Sequence, residues 1–277
     1  MASTSSDYIT LENDCELVSK AMLLMETKKY YLKRHIKISS QNLYAQYKRL
    51  DPDKITRDFS SIQEAEIRIQ NLKYLEKLPY LVRKGISLVN TIDLGCGFCS
   101  ASRLSFVSNY LGIDISLPNK TDIQYRETIG NSSTKSSDII SYVAEVDEKD
   151  LYPFGLVILN HVIEHLDDPR IFLESLYKKI RSSTLLIIAT PDFDSAMARR
   201  YGSKYRMLHD PTHTSLFTTE SLGRFLVDIG YNLLEVHFPY FELPVFNSSN
   251  LMSLFDSNLH WSPPFYGNHV TYLAAKS

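Results

Sequence analysis

The tightest constraint on this chain is a stretch of nine residues. From Thr91 to Cys99 it reads Thr-Ile-Asp-Leu-Gly-Cys-Gly-Phe-Cys. An apolar run of strand type ends on two glycines one residue apart. Gly95 and Gly97 allow a tight turn and let another molecule approach the backbone with no Cβ in the way. Ala101–Val107 reads as a helix, whose first amides would favour a negative group. Tyr110–Ile115 then reads as a second strand ending on an acidic residue, Asp114. Strand, glycine turn, helix, strand is the start of a parallel crossover sheet.

The rest of the C-terminal two-thirds repeats that alternation. Strands are expected at Ser87–Leu94, Ile139–Val143, Leu156–Leu159, Thr184–Ala189, Leu233–Phe238 and His269–Ala275, with residues 128–138 as a polar loop. Asp168-Pro169 is a helix start, with Asp as N-cap and Pro at the first helical position. Thr218 is placed to cap a helix whose Leu222, Phe225, Leu226 and Ile229 share one face, and Gly230 to stop it. The fold expected is α/β, a doubly wound parallel sheet. Upstream, Leu11 to about Val82 reads as helical, with Pro79 breaking the last helix. The division expected is a helical N-terminal cap over 1–85 and an α/β domain over 86–277, with a lid segment at 191–218 and an insertion at 239–268.

Two ligands could use the glycine turn. Gly95, Gly97 and Ser100 match a dinucleotide fingerprint, with Asp114 following. Against it stands Asp93, two residues before Gly95, whose carboxylate would repel a pyrophosphate but suits a cationic amino group. Asp114 can accept hydrogen bonds from ribose hydroxyls in either case. Taken in order, IDLGCGFC, GIDIS and FGLVILNHVIEHLDDP resemble the class I S-adenosylmethionine-dependent methyltransferase superfamily, over roughly residues 86–277. The resemblance implies a Rossmann-like seven-stranded sheet in the order 3-2-1-4-5-7-6 with strand 7 antiparallel, and S-adenosylmethionine as cofactor. It implies that Asp93, Gly95 and Gly97, with Cys96 between them, line the methionine end, and that Asp114 and the adjoining Ile115 hold the ribose. Asp147, or else Glu145, would follow the third strand and meet the adenine. Asn160 and His161 would flank the methyl donor. Cys99 stands where a third small residue is usual, and Gly155 where an aspartate commonly precedes the fourth strand.

Two histidine groups bear on the chemistry. His161 and His165 are spaced as in a zinc-binding H-x-x-x-H, but the metalloprotease pattern needs Glu directly after the first His, and Val162 is there. Cys96 and Cys99 have metal or redox spacing but no second pair. No metal is therefore expected. His213, in the segment after the fifth strand, and His161 are the candidate general bases for a hydroxyl acceptor. Tyr201, Tyr205 and Phe217 are candidates to face the sulfonium.

Composition narrows the partners. Thirty basic against 32 acidic residues give a net charge of −2, which argues against a bulk field for nucleic acid. The cluster Lys28, Lys29, Lys33 and Arg34 is the one feature that would favour RNA. Three cysteines form no disulfide framework, residues 1–7 lack a secretory pattern, and there is no run of about 18 apolar residues. A cytoplasmic protein with no membrane span is expected. The acceptor expected is a small or glycan-like polar molecule, walled by Tyr30, Tyr31, Tyr201, Tyr205, Tyr240 and Tyr266; the oligomeric state is open. The alternatives are a nicotinamide-dependent oxidoreductase and a non-catalytic methyltransferase-like binding subunit.

Overall fold

Val157 and Leu159 pack into one apolar cluster and Leu156 and Ile158 into another, and all four are buried. A strand buried on both faces belongs at the centre of a sheet covered on both sides. In the computed structural model this strand, β6 (Leu156–Asn160), is the middle of seven. The residues described are 7–34, 69–86, 89–115, 132–239, 243, 247–256, 259, 261–263 and 269–277.

In chain order the elements are β1 (Tyr8–Leu11), α1 (Leu17–Glu26), β2 (Tyr31–Arg34), α2 (Pro79–Arg83), β3 (Val89–Leu94), β4 (Val107–Asp114) and β5 (Ser132–Ser136). Then follow α3 (Ile139–Glu145), α4 (Glu148–Leu151), β6, α5 (Pro169–Lys179), β7 (Leu185–Pro191), α6 (Ala196–Tyr201) and β8 (Ser215–Leu216). The last are α7 (Thr219–Ile229), β9 (Tyr231–His237), α8 (Ser248–Ser253) and β10 (His269–Lys276). The large sheet has the order β5-β4-β3-β6-β7-β10-β9, with β10 antiparallel to both neighbours. Numbered within the domain this is 3-2-1-4-5-7-6 with the seventh strand antiparallel, as the resemblance implies. Gly155 leaves the register of β6 intact: its N–H bonds the Asn90 carbonyl at 3.0 Å, and a Cβ there would meet Val89 at 2.8 Å.

The expected caps are present. Asp168 accepts the Ile171 N–H at 3.1 Å with Pro169 at the first helical position. Thr218 accepts the Ser221 N–H at 3.1 Å in a reciprocal capping box, and Gly230 ends α7 at φ 118°.

Three local expectations are corrected. The third strand is Ser132–Ser136, inside the stretch read as a polar loop, and Ile139–Val143 is helix. An edge strand has one neighbour and needs no apolar run. Ile139, Tyr142 and Val143 fall at i, i+3 and i+4, a helical face, and Asp138 caps it through the Ser141 N–H at 2.9 Å. The helix expected at 101–107 is a single 3-10 turn, Ser100–Arg103, after which Leu104 is extended. Serines at 100, 102 and 105 compete for backbone hydrogen bonds and favour that early exit. A turn this short offers no helix-terminal anion site.

The N-terminal cap is not purely helical. β1 and β2 pair in parallel, and β2 pairs antiparallel with β8, which makes a second, three-stranded sheet from the N-terminus and the segment after β7. Residues 69–72 are helical and run into a 3-10 stretch, Lys73–Lys77; Pro79 then opens α2 as its first residue. Leu72, Leu75, Leu78 and Leu81 pack on one face of the large sheet, and the Tyr74 hydroxyl lies 2.7 Å from Thr271 Oγ1 on β10. Ser87, most of the 128–138 loop upstream of Ser132, Tyr240, Tyr266 and much of the 239–268 insertion lie outside the described residues. Among the described residues no helix is long and apolar enough to cross a membrane.

Candidate active site

The chain turns to opposite sides of the sheet after β3 and β6, which are neighbours. Ligands of such sheets bind in the crevice beyond the carboxyl ends at this switch point. Asp93 and the Gly95–Gly97 turn stand at the end of β3, and Asn160 and His161 at the end of β6.

The turn is built by its backbone. The N–H groups of Gly95 and Cys96 both bond the Ile113 carbonyl, at 2.8 and 3.1 Å, which folds the chain back over β4. Gly95 has φ 79°, and a Cβ there would lie 2.5 Å from Val162 Cγ2. Gly97 has φ 49° and open space where its Cβ would be. Its N–H donates to Asp114 Oδ2 at 2.8 Å, so the second acidic residue is tied to the turn. Ile115 follows it, half exposed.

Asp93 is the unusual member. It is 4% exposed and accepts one strong hydrogen bond, from the Tyr110 hydroxyl, at 2.6 Å. Burial pushes its carboxyl up to about 7; the Tyr110 bond opposes that rise and nearby Asp114 adds to it. A buried carboxyl that titrates at neutrality suits a cationic partner arriving from the crevice. Tyr110 was not singled out from the sequence. Its position on β4, beside β3, is visible only once the two strands are paired.

Cys96 and Cys99 are brought together, Sγ to Sγ at 3.3 Å, both buried. Contact with Cys99 and burial raise the Cys96 thiol, so it stays protonated and unreactive at neutral pH. The pair fills the space left by Gly112, where a Cβ would meet Cys96 Sγ at 2.8 Å and Cys99 Sγ at 3.1 Å.

On the β6 side, His161 has φ 55°, a strained conformation for a non-glycine residue. Its Nδ1 is 3.2 Å from Glu164 Oε1. Glu164 is fully buried and also accepts the Thr190 hydroxyl at 3.0 Å. Burial alone would raise its carboxyl, but the His161 hydrogen bond, with positive charge on His161, His165 and His213 when these are protonated, outweighs it and lowers it to about 2. Glu164 is therefore ionised and accepts only, so His161 carries its hydrogen on Nδ1 and presents Nε2. The His161 side chain is 37% exposed.

His213 lies near the same carboxylate oxygen, its Nε2 4.0 Å from Glu164 Oε1, and is 6% exposed. Its Nδ1 donates to the Met207 carbonyl at 2.6 Å, and burial followed by the neighbouring His165 lowers its basicity to about 4. The 191–218 segment is held down rather than loose. Tyr205 and Phe217 are fully buried in the core, the Thr214 N–H bonds the Glu164 carbonyl at 2.8 Å, and the Tyr205 hydroxyl bonds the Asp192 carbonyl at 3.2 Å. Tyr31 is likewise core, and Tyr30 lies beneath Arg170 and Arg224. Tyr31, Tyr205 and Phe217 are thus packed in apolar clusters, and Tyr30 packs partly buried against one of them.

Two of the four clustered cations are also internal. Lys33 bonds the Asp167 carbonyl at 2.5 Å, and Arg34 bonds Asp14 together with the carbonyls of Leu208, Asp210 and His213. Asp147 opens α4, exposed and paired with Lys149 at 3.4 Å, and Glu145 ends α3. The carboxylate that follows the third strand is Asp138, which is engaged in capping α3.

A crevice with a nucleoside-type turn and acidic residues on two adjacent strands is one half of the identification. The other is a match of residues 63–236 to the model of a methyltransferase domain family. The chain belongs to that family. It is a methyltransferase, and S-adenosylmethionine is its cofactor. A comparison with curated protein sequences gives no significant match. Among solved structures the chain resembles a 1,6-didemethyltoxoflavin-N1-methyltransferase of Burkholderia thailandensis, with 11% identity and a TM-score of 0.53, over 89% of this chain and 95% of that one. It also resembles the magnesium protoporphyrin IX methyltransferase of Synechocystis PCC 6803, with 14% identity and a TM-score of 0.52, over 88% and 100%. Both likenesses are of fold. The residues at the turn fit the cofactor: Gly97 leaves its approach open, and the buried Asp93 carboxyl calls for a cation.

Proposed function

We propose that the enzyme methylates a hydroxyl group of a small polar acceptor, of sugar-like character, with His161 as general base. The observation that carries this reading is the His161–Glu164 pair at the end of β6. A carboxylate beside Nδ1 fixes the imidazole tautomer and stabilises the imidazolium once a proton is taken, and the His161 side chain is 37% exposed. His213, the other candidate, is buried and weakly basic, and supports the pair from behind.

When bound, the cofactor supplies a methyl group already activated on a sulfonium. The chain has to place the acceptor oxygen in line and take its proton. Asp93 would pair with the ammonium of the methionine moiety and Asp114 would accept from the ribose, with Gly95, Cys96, Gly97, Ile115 and Asn160 as the other residues that would hold the cofactor. The near-zero net charge and the internal use of Lys33 and Arg34 support a small neutral acceptor over a nucleic acid.

Calorimetric titration with S-adenosylhomocysteine is expected to show one equivalent bound. A panel of hydroxylated small molecules and oligosaccharides, assayed with a labelled methyl donor, is expected to give ether products. His161→Asn should lower kcat by roughly 10²–10⁴-fold and leave the affinity for S-adenosylhomocysteine unchanged. Transfer confined to nitrogen acceptors would overturn the hydroxyl assignment, and unimpaired turnover in His161→Asn would overturn the base.

A further inference from the structure

We propose that Glu164, His165 and His213 form a binding site for one divalent cation of zinc type, joining the turn after β6 to the segment before β8. One ligand atom from each of the three residues lies within 4.8 Å of the others. The sequence obscures the grouping. His161 and His165 have the familiar i, i+4 spacing, but the third member here is His213, from a segment that reaches Glu164 only through the fold.

Hydrogen bonding fixes what these atoms offer. The His213 Nδ1–H donates to the Met207 carbonyl, which leaves the Nε2 lone pair. That Nε2 makes no hydrogen bond among the described residues: its nearest carboxylate oxygens are Asp210 Oδ2 at 3.8 Å and Glu164 Oε1 at 4.0 Å. The His165 Nδ1 faces the Thr212 carbonyl at 3.2 Å and Thr212 Oγ1 at 2.7 Å. The Thr212 hydroxyl hydrogen is already given to Asp210 at 2.5 Å, so His165 is the donor on Nδ1 and also presents Nε2. Two imidazoles and a carboxylate are thus brought together, His213 and Glu164 buried and His165 half-buried. Two imidazole nitrogens and a carboxylate oxygen are a recognised donor set for zinc, with a fourth position remaining.

The surroundings match a metal site further out. Each imidazole has its other nitrogen anchored to a carbonyl or hydroxyl, which sets tautomer and ring direction. Glu164 is oriented by the Thr190 hydroxyl and by His161. Glu164 and Asp210 together carry two negative charges, which balance a dication. The cation would clamp the 206–215 segment onto the turn at 163–165, in addition to the Thr214-to-Glu164 backbone bond. This assignment does not rest on the acceptor or on methyl transfer, and its readout is separate from activity.

The test uses tag-free full-length protein, stripped with a chelator and titrated with cobalt(II). One equivalent is expected to bind with the intense visible bands of a tetrahedral site, to raise Tm, and to be displaced by zinc. His213→Ala and His165→Ala should each abolish the bands, whereas His237→Gln, distant from the cluster, should keep them. Thr212→Val, which removes only an anchoring hydroxyl, should weaken cobalt binding roughly 10–100-fold. Circular dichroism and binding of S-adenosylhomocysteine report whether each variant is folded. Wild-type protein without cobalt bands or a Tm shift overturns the proposal, and so does a folded His213→Ala that binds cobalt as wild type does.

Discussion

The Tyr110 hydroxyl donates to Asp93 Oδ2 at 2.6 Å, from one strand of the parallel sheet to the next, where both side chains are almost wholly buried. A lone carboxylate in such a place would normally take up a proton and stay neutral. This single donor, working against burial and against the charge of Asp114, leaves the carboxyl poised at about 7. Asp93 can then ionise when a cation arrives, at little cost near neutral pH.

Cofactor affinity should therefore depend on pH in a defined direction. Below about pH 7 the free protein holds a proton on Asp93 that an ammonium-bearing ligand must displace. Affinity for S-adenosylhomocysteine should fall about tenfold for each unit of acidification below that point and be flat just above it. Calorimetry from pH 5 to 8 measures this, and Asp93→Asn should bind weakly with no slope. A wild-type affinity that does not vary with pH would mean Asp93 does not face the ammonium.

Tyr110→Phe removes the donor and leaves the ring. The charged form of Asp93 loses its one strong hydrogen bond, worth about 1.5–3 kcal/mol for a bond to a charged group. Its carboxyl should titrate higher, and the rise in cofactor affinity should move to more alkaline pH. At pH 7 binding weakens; at pH 9 it recovers towards wild type. An unchanged pH profile in this variant would assign Tyr110 to packing alone.

How much of this was readable beforehand divides along a physical line. The order of the large sheet came from the family resemblance, whereas the Asp168 and Thr218 caps and the glycine turn rest on local chemistry: a cap, a φ requirement, a run of apolar residues. These act within a few positions and appear in the sequence. The edge strand Ser132–Ser136 was hidden because an edge needs no apolar face, and the adjacent Ile139–Val143 run looked more like a strand than it was. Tyr110 with Asp93, and His213 with Glu164, are contacts between segments far apart in the chain. Their residue types are visible in the sequence, but the pairing depends on strand register and on where the 191–218 segment settles. The tyrosines mislead for the same reason: a ring in a loop-like segment can wall a pocket or fill a seam, and only packing decides.

The two turn glycines should separate folding from binding. At Gly95 an added methyl would meet Val162 at 2.5 Å in a conformation of φ 79°. Gly95→Ala should cost about 2–5 kcal/mol of stability, from overpacking and backbone strain together. At Gly97 nothing lies within 4 Å, so Gly97→Ala should cost about 1–2 kcal/mol of strain and act mainly by obstructing the cofactor. Denaturant melts compared with S-adenosylhomocysteine titrations read the contrast. Equal losses of stability would show that the two positions are not distinguished by the fold as described.

His269, on β10, provides a test of acid stability. Its Nδ1 is buried without a hydrogen-bond partner among the described residues, and its ring meets His161 at 5.3 Å between centroids. Burial, then the charge of His161, lowers it from 6.5 to about 3, against the opposing pull of Glu164. In the window between those values the unfolded chain binds a proton here and the folded chain does not. Acidification therefore favours unfolding by up to about 1.4 kcal/mol per pH unit through this one group, beginning near pH 6.5. His269→Leu removes the group from both states, so the variant should gain on wild type by that amount for each unit below 6.5 and run parallel to it above. Guanidinium unfolding of metal-free protein at half-unit steps from pH 7.5 to 4.5 measures the difference directly. Curves for the two proteins that stay parallel over the whole range would show that His269 takes up its proton in the folded state, and that the histidine cluster at the end of β6 is wetter than its packing indicates.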